Sequence, residues 1–352
     1  MPELRREKSS NVAVEEHPTL ETEQPASTPP APSGNGVRSS IASYLWKLSF
    51  SILLFVAALH WVDYGELRTI TAHPHPSYLF AYILLMFIDR VVMAYKWGLL
   101  LEAVGFKRRL GELTLIYYKG TFIGNLLPTS LGGDAIRTYE VVKRGGPFET
   151  AVSSIVMERF VGFLSAAILA LAGLLLAVPL GLETPVQILL PLGIAFGLGI
   201  ACLMTVLLGG EFLQRRPGLF GKLPLARKLV KIATSVSGFR SHPGVLYRFF
   251  LWSLGEQLLP IVIMYALARG LNLDIPARHL LCIIPVTQFL ARIPVSLSGI
   301  GLQESVLMGF MSLAGIHPTA AFVLGVGSNI GAILNGLPGA YFYLTDTQRK
   351  RR

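Results

Sequence analysis

Residues 113–137 read LTLIYYKGTFIGNLLPTSLGGDAIR. The apolar part, 113–127, is about 15 residues long and stops at Pro128. A membrane-spanning helix needs about 20 mostly apolar residues. Proline ends a helix, because its ring clashes with the preceding turn and it has no N–H to donate. A broken backbone at membrane depth is tolerated only where protein or a wet cavity satisfies its freed polar groups. The stretch therefore predicts a segment that enters a membrane, breaks and turns back. Gly132 and Gly133 permit the turn. A helix starting near Asp134 would aim its N-terminal amides and positive dipole end into the cavity, which suits a phosphate. Arg137, one turn on, would add a bidentate donor pair.

A second stretch reads alike. Residues 280–304 are LLCIIPVTQFLARIPVSLSGIGLQE, with a short apolar run broken at Pro294. Both breaks fit P-x-S-L-x-G, at Pro128–Gly133 and at Pro294–Gly299. Gly301 and Glu304 follow the second break. Two broken segments at matching places in two halves, entering from opposite sides, mark an inverted repeat of the kind that transporters use.

The surrounding chain supplies the membrane. Of its 352 residues 52% are apolar and 15% charged, and the mean hydropathy is +0.54. A soluble domain carries about 25% charged residues, so a soluble globular protein is excluded. Six runs are long enough to span: 44–62, 78–100, 154–178, 187–208, 249–268 and 320–344. The expected fold is an all-α polytopic membrane protein with about six full spans, two re-entrant broken segments and an inverted repeat. Residues 1–40 hold six Pro and six Glu and predict a disordered cytoplasmic tail without a signal peptide. The transmembrane domain is expected over 41–346, in halves of about 44–208 and 209–344, followed by a basic tail, 347–352.

Charge fixes the orientation. With the N-terminus inside and both short segments turning back, only Arg68, Arg269 and Arg278 fall in outer loops. The basic residues of the tails and of the loops near 107–109, 137–144 and 215–248 all fall inside. This asymmetry predicts a plasma (inner) membrane protein with both termini cytoplasmic. The net charge of +10 is thus topology signalling, and no nucleic-acid partner is expected. Cys202 and Cys282 form neither a disulfide framework nor a zinc spacing. No cofactor or metal is expected.

Ionisable residues at membrane depth are costly and mark function by default. Glu158, Arg159, Arg292 and Glu304 are the leading ones, followed by Asp89, Arg90 and Glu256. Lys96, beside Trp97, reads as an interfacial anchor. Asn125 precedes the first break; such residues more often join helices than bind ligands. There is no P-loop, HExxH, GxSxG or glycine-rich dinucleotide motif, which argues against an enzyme.

The elements Asn125-x2-Pro128-x3-Gly132-Gly133-Asp134-x2-Arg137, Glu158-Arg159-x2-Gly162 and Pro294-x4-Gly299-x-Gly301-x2-Glu304 together resemble the lysylphosphatidylglycerol synthase transmembrane-domain family of flippase-like membrane proteins. The resemblance covers roughly 44–344. It implies movement of lipids with charged or phosphate headgroups between leaflets. Some members of that family add a soluble aminoacyl-transferase domain; nothing in this sequence resembles it, so aminoacyl transfer is not expected. The resulting expectation is a transporter of a phosphate-bearing lipid, anionic or polyprenyl-phosphate-linked. Arg137, Arg159 and Arg292 would neutralise the phosphate, and Glu158 and Glu304 would hold the arginines. Partners would be membrane lipids and enzymes of lipid or glycan synthesis. The rival expectations are a membrane-embedded transferase and a non-transporting scaffold.

Overall fold

The computed structural model describes residues 34–127, 131–181, 193–194, 196–201, 205, 232–292 and 301–349. The chain divides into two units, Met1–Ile41 and Ala42–Arg352; the packing described below is that of the second. No strand occurs among the described residues. The helices are α1 (Gly34–His60), α2 (Tyr64–Ala72), α3 (Pro76–Ala103), α4 (Leu110–Leu126), α5 (Leu131–Lys143) and α6 (Phe148–Ala177). They continue as α7 (Pro243–Glu256), α8 (Leu259–Gly270), α9 (Ala277–Leu290), α10 (Leu302–Leu313) and α11 (Pro318–Arg349).

Four segments are long and apolar enough to cross a membrane: α3, α6, the pair α7–α8 (Pro243–Gly270) and Pro318–Thr345 of α11. They coincide with four of the six expected spans. Of the expected 44–62 span, Leu48–His60 forms the apolar end of α1. Most of 187–208 lies outside the described residues. The α7–α8 span is interrupted at Gln257 and Leu258, because Pro260 cannot donate into the ladder.

The first broken segment is a helical hairpin. Leu127, before Pro128, is extended (φ −95°, ψ 145°), as a residue preceding proline prefers. Pro128 itself lies outside the described residues. Helix α5 starts at Leu131, three residues earlier than expected. A Cβ on Gly133 would sit 2.7 Å from the Gly120 carbonyl oxygen, so the two legs touch backbone to backbone. Arg108 Nη2 donates to the Arg144 carbonyl at 2.6 Å, so the chain leaves the hairpin where it entered.

The second hairpin is α9 and α10. Pro294 and Gly299 lie outside the described residues. Gly301 has φ +80°, and a Cβ there would lie 2.6 Å from the Ser51 carbonyl of α1. Only glycine meets both the conformation and the contact.

The hairpins enter from opposite ends of α3, a rod of roughly 42 Å for its 28 residues. The first hairpin opens at the C-terminal end of α3, where Phe106 packs under Gly146. The second opens at the N-terminal end, where His75 N–H donates to Gly270 O at 2.8 Å and Leu273, Ile275 and Met311 share one core. Helix α3 crosses α7–α8 antiparallel, with Leu79 at Gly270 and Lys96 at Glu256. Helix α4 runs antiparallel to α11, Tyr118 at Gly339 and Asn125 at Ala332. Helix α9 runs antiparallel to α6, Cys282 at Gly173 and Phe289 at Phe163. Each half thus lays its first re-entrant leg on the span that follows the other half's hairpin. Small residues allow these approaches: Gly336 and Gly339 under α4, and Ala166, Ala167 and Ala170 under α9.

Candidate functional site

Arg137 projects from α5, nearly two turns past its start at Leu131. Its guanidinium lies between the rings of Trp97 and Tyr117, 4.3 Å from each centroid. It pairs with Glu158 of α6, and Asp134 Oδ1 lies 3.6 Å away. The Tyr117 hydroxyl donates to Glu158 Oε1 at 2.5 Å, and Trp97 Nε1 donates to Ser154 Oγ at 3.0 Å. Gly120 leaves the room: a Cβ there would lie 2.9 Å from Arg137 Cγ. Arg137 is 5% exposed. Expected to meet a headgroup phosphate, Arg137 is here buried and paired within the protein. A buried guanidinium needs a carboxylate and ring faces to offset its lost hydration, and here both are built in.

The accessible cations are the other two. Arg159, on the same helix as Glu158, donates to Asp134 Oδ2 from Nη2 at 2.8 Å and from Nε at 3.2 Å. Its side chain is still 57% exposed. Arg292 follows the end of α9 and donates from Nη1 to the Gly162 carbonyl at 3.1 Å. It is exposed. Arg159 and Gly162 are one turn apart on α6, so the two guanidiniums share one face, and each lies within electrostatic range of the other. Among the described residues Arg292 has no carboxylate partner.

Arg159 lines a cavity of about 1210 Å³, walled by α5, α6 and by Leu198 and Gly199. Thr138, Tyr139, Val152, Ile155 and Phe160 line it, and Asp134 and Arg159 supply its charge. Pockets for drug-sized ligands run about 300–1,000 Å³. This one is larger, apolar along its length and charged at one place, which is the shape of an amphiphile.

The remaining expected residues divide. Gly132 and Gly133 fall in the first turn of α5, and Gly133 serves leg-to-leg packing rather than cradling a ligand. Asn125 Nδ2 donates to the Ala332 carbonyl at 3.0 Å and joins α4 to α11. Glu304 does not hold an arginine. Its Oε2 accepts from Gly301 N–H at 2.8 Å, its Oε1 accepts from Asn329 Nδ2 at 2.6 Å, and it is fully buried. It fastens the start of α10, where free amides and the dipole favour a carboxylate.

Two more ion pairs lie at membrane depth. Asp89 accepts from Arg90 at 2.7 Å. Lys96, read above as an interfacial anchor, is instead buried and donates to Glu256 Oε2 at 2.9 Å, pinning α3 to α7. Lys119 and Arg144 both bind Glu140 near the open end of the first hairpin. Sequence reasoning missed Tyr117, Trp97 and Ser154. A tyrosine and a tryptophan in apolar runs carrying Arg and Glu were the available signal, since buried rings with polar tips need partners.

The fold and this site define an all-α polytopic membrane protein with two broken helices and a charged, amphiphile-shaped recess. The chain belongs to the family described as the lysylphosphatidylglycerol synthase TM region, which its residues 44–330 match. It is similar to a UPF0104 membrane protein of Methanothermobacter thermautotrophicus, 23% identical over 332 residues, covering 84% of this chain and 92% of that one. A UPF0104 membrane protein of Methanocaldococcus jannaschii is 25% identical over 114 residues, 32% of this chain and 34% of the relative.

Proposed function

We propose that the protein carries a lipid with a phosphate-bearing headgroup between the leaflets of the cytoplasmic membrane and leaves the lipid chemically unchanged. The observation that carries this reading is the apolar cavity along α5 and α6 with the Asp134–Arg159 pair in its wall and Arg292 close by. The headgroup phosphate would lie on Arg159 and Arg292, and the apolar tail would follow the cavity wall toward Phe160 and Phe163. A charged headgroup at membrane depth needs fixed counter-charge in place of water. Membership of the family and the excess of basic residues on one side of the expected topology support the membrane, both termini inside and the lipid class.

The test is translocation of a headgroup-labelled anionic lipid in proteoliposomes of the purified protein. Arg159→Ala and Arg292→Ala each remove a charge-assisted bond worth about 1.5–3 kcal/mol. Transport should slow about tenfold or more in each, with folded yield unchanged, because both side chains are exposed. Wild-type rates in both variants would overturn the reading. Recovery of a chemically altered lipid would favour a transferase.

A further inference from the structure

We infer that Glu304 is a proton-binding site in the second hairpin, and that its proton is the ion coupled to lipid movement; the coupling, unlike the site, rests on the transport reading above. Among the described residues the buried carboxylates are Asp89, Glu140, Glu158, Glu256 and Glu304. The first four each lie within ion-pair distance of a lysine or arginine. Glu304 does not. Its Oε2 accepts from the Gly301 N–H at 2.8 Å and its Oε1 faces the Asn329 amide at 2.6 Å, both neutral. The elements packed on it bring no charge. On α10 it is the only ionisable residue. Helix α11 meets it with Gly325 and Asn329, and the nearest ionisable residue of α11, Asp346, is roughly 25 Å further along the helix. Helix α9 carries Arg278 and His279 near its start, and Arg292, past its end, is bonded to Gly162. From α1, Ser51, Leu54 and Phe55 meet Gly301; Lys47 lies one turn before Ser51, and His60 ends the helix. Residues 293–300, IPVSLSGI, carry no ionisable group. Among the described residues no charged side chain lies within electrostatic range of Glu304.

Fastening the start of α10 requires only an acceptor for the Gly301 N–H, and a glutamine serves as well in that role. A carboxylate at membrane depth without a cation is the costlier choice. What it adds is a second protonation state, and the surroundings satisfy both. When Glu304 is ionised, Asn329 Nδ2 donates to Oε1. When it is protonated, the Oε1 hydroxyl donates to Asn329 Oδ1, after the amide turns over; its two ends are alike in shape. Oε2 accepts from the Gly301 N–H in either form. The 2.6 Å separation lies within the O–H···O range of about 2.5–3.0 Å and is short for N–H···O. Uptake moves one proton from water to Oε1 and takes the side chain from −1 to neutral; release returns that proton to water. Glu304 is fully buried, so either step needs the start of α10 to part from α11 and admit water. The protonation state and the opening of the second hairpin are thereby linked, and the linkage is reciprocal.

Two measurements on the full chain test the site and the coupling separately. The first is infrared difference spectroscopy in neutral-lipid nanodiscs, between acid and alkaline buffer. Wild type should show the C=O stretch of a buried carboxylic acid, shifted in heavy water, rising and falling with pH. Glu304→Gln should lack that band and unfold at the wild-type temperature or above it. Asn329→Leu should keep the band and move its titration midpoint, and Lys47→Gln should leave both unchanged. A band that persists in Glu304→Gln, or no titrating band in wild type, overturns the site. A lowered unfolding temperature in Glu304→Gln would make the charge itself the cap, and loss of titration in Lys47→Gln would make the site an ion pair; either overturns it. The second is movement of a headgroup-labelled anionic lipid in proteoliposomes under an imposed pH difference, with the membrane voltage clamped. One pH unit should change the distribution of the lipid between leaflets by up to about tenfold, and in Glu304→Gln the distribution should no longer follow the gradient. A wild-type distribution that ignores the pH difference, or that follows a sodium gradient in its place, overturns the coupling. A titrating band with no lipid movement in wild type under any gradient would overturn the transport reading and leave the proton site standing.

Discussion

Arg137 shows how residue-scale environment divides chemically identical side chains. Three arginines follow or face the two breaks, and one of them is enclosed between Trp97 and Tyr117 with Glu158 behind it. Arg137→Ala would leave Glu158 as a buried, uncompensated charge, a cost of about 3–5 kcal/mol. The expected result is loss of folded protein, read as a lowered unfolding midpoint and poor recovery from detergent. The double variant Arg137→Met, Glu158→Leu should recover most of that stability, since replacing a buried pair by apolar groups is often neutral. The identities of the charged residues were legible in the sequence, because ionisable groups in apolar runs are conspicuous. Their pairing was not. Lys96 and Glu256 are 160 positions apart and meet only because α3 crosses α7. The exposure that separates Arg159 from Arg137 likewise depends on which face of α5 and α6 the hairpin covers.

At the scale of elements the two hairpins carry the architecture. The break at Leu127 and the restart at Leu131 were legible, since proline and glycine act locally on the backbone. The role of the glycines was not, because packing against Gly120 is a contact between elements. Gly133→Ala would place a methyl 2.7 Å from a carbonyl that cannot move without unseating α4. The expected cost is about 1–3 kcal/mol, measurable as a lower unfolding midpoint in detergent. The same hairpin fixes topology. Cysteines placed singly at Arg109 and Arg144 should both label from one side of the membrane with an impermeant maleimide. Labelling from opposite sides would mean that α4 and α5 together make one net crossing. That outcome would contradict the contact between Arg108 and Arg144.

Across the whole molecule, the two halves share a framework but not a content. The repeat was legible from P-x-S-L-x-G at two breaks, and four long apolar helices fall where hydropathy put them. The exchange of partners was not, because nothing in a periodicity says which span a short helix will lie against. The first half supplies most of the charged cluster, whereas the second break is closed by Gly301, Glu304 and Asn329. The exchange also bears on biogenesis. Helix α4 is synthesised more than 190 residues before the span that covers it, since Tyr118 must wait for Gly339. Until then the face of α4 that carries Tyr118, Phe122 and Asn125 has no partner and must be shielded by the insertion machinery. The two halves should therefore behave as an interdependent pair during synthesis. When the chain is cut between 210 and 231 and the pieces are co-expressed, they should assemble and persist. Each piece produced alone should be degraded, as pulse–chase labelling would show.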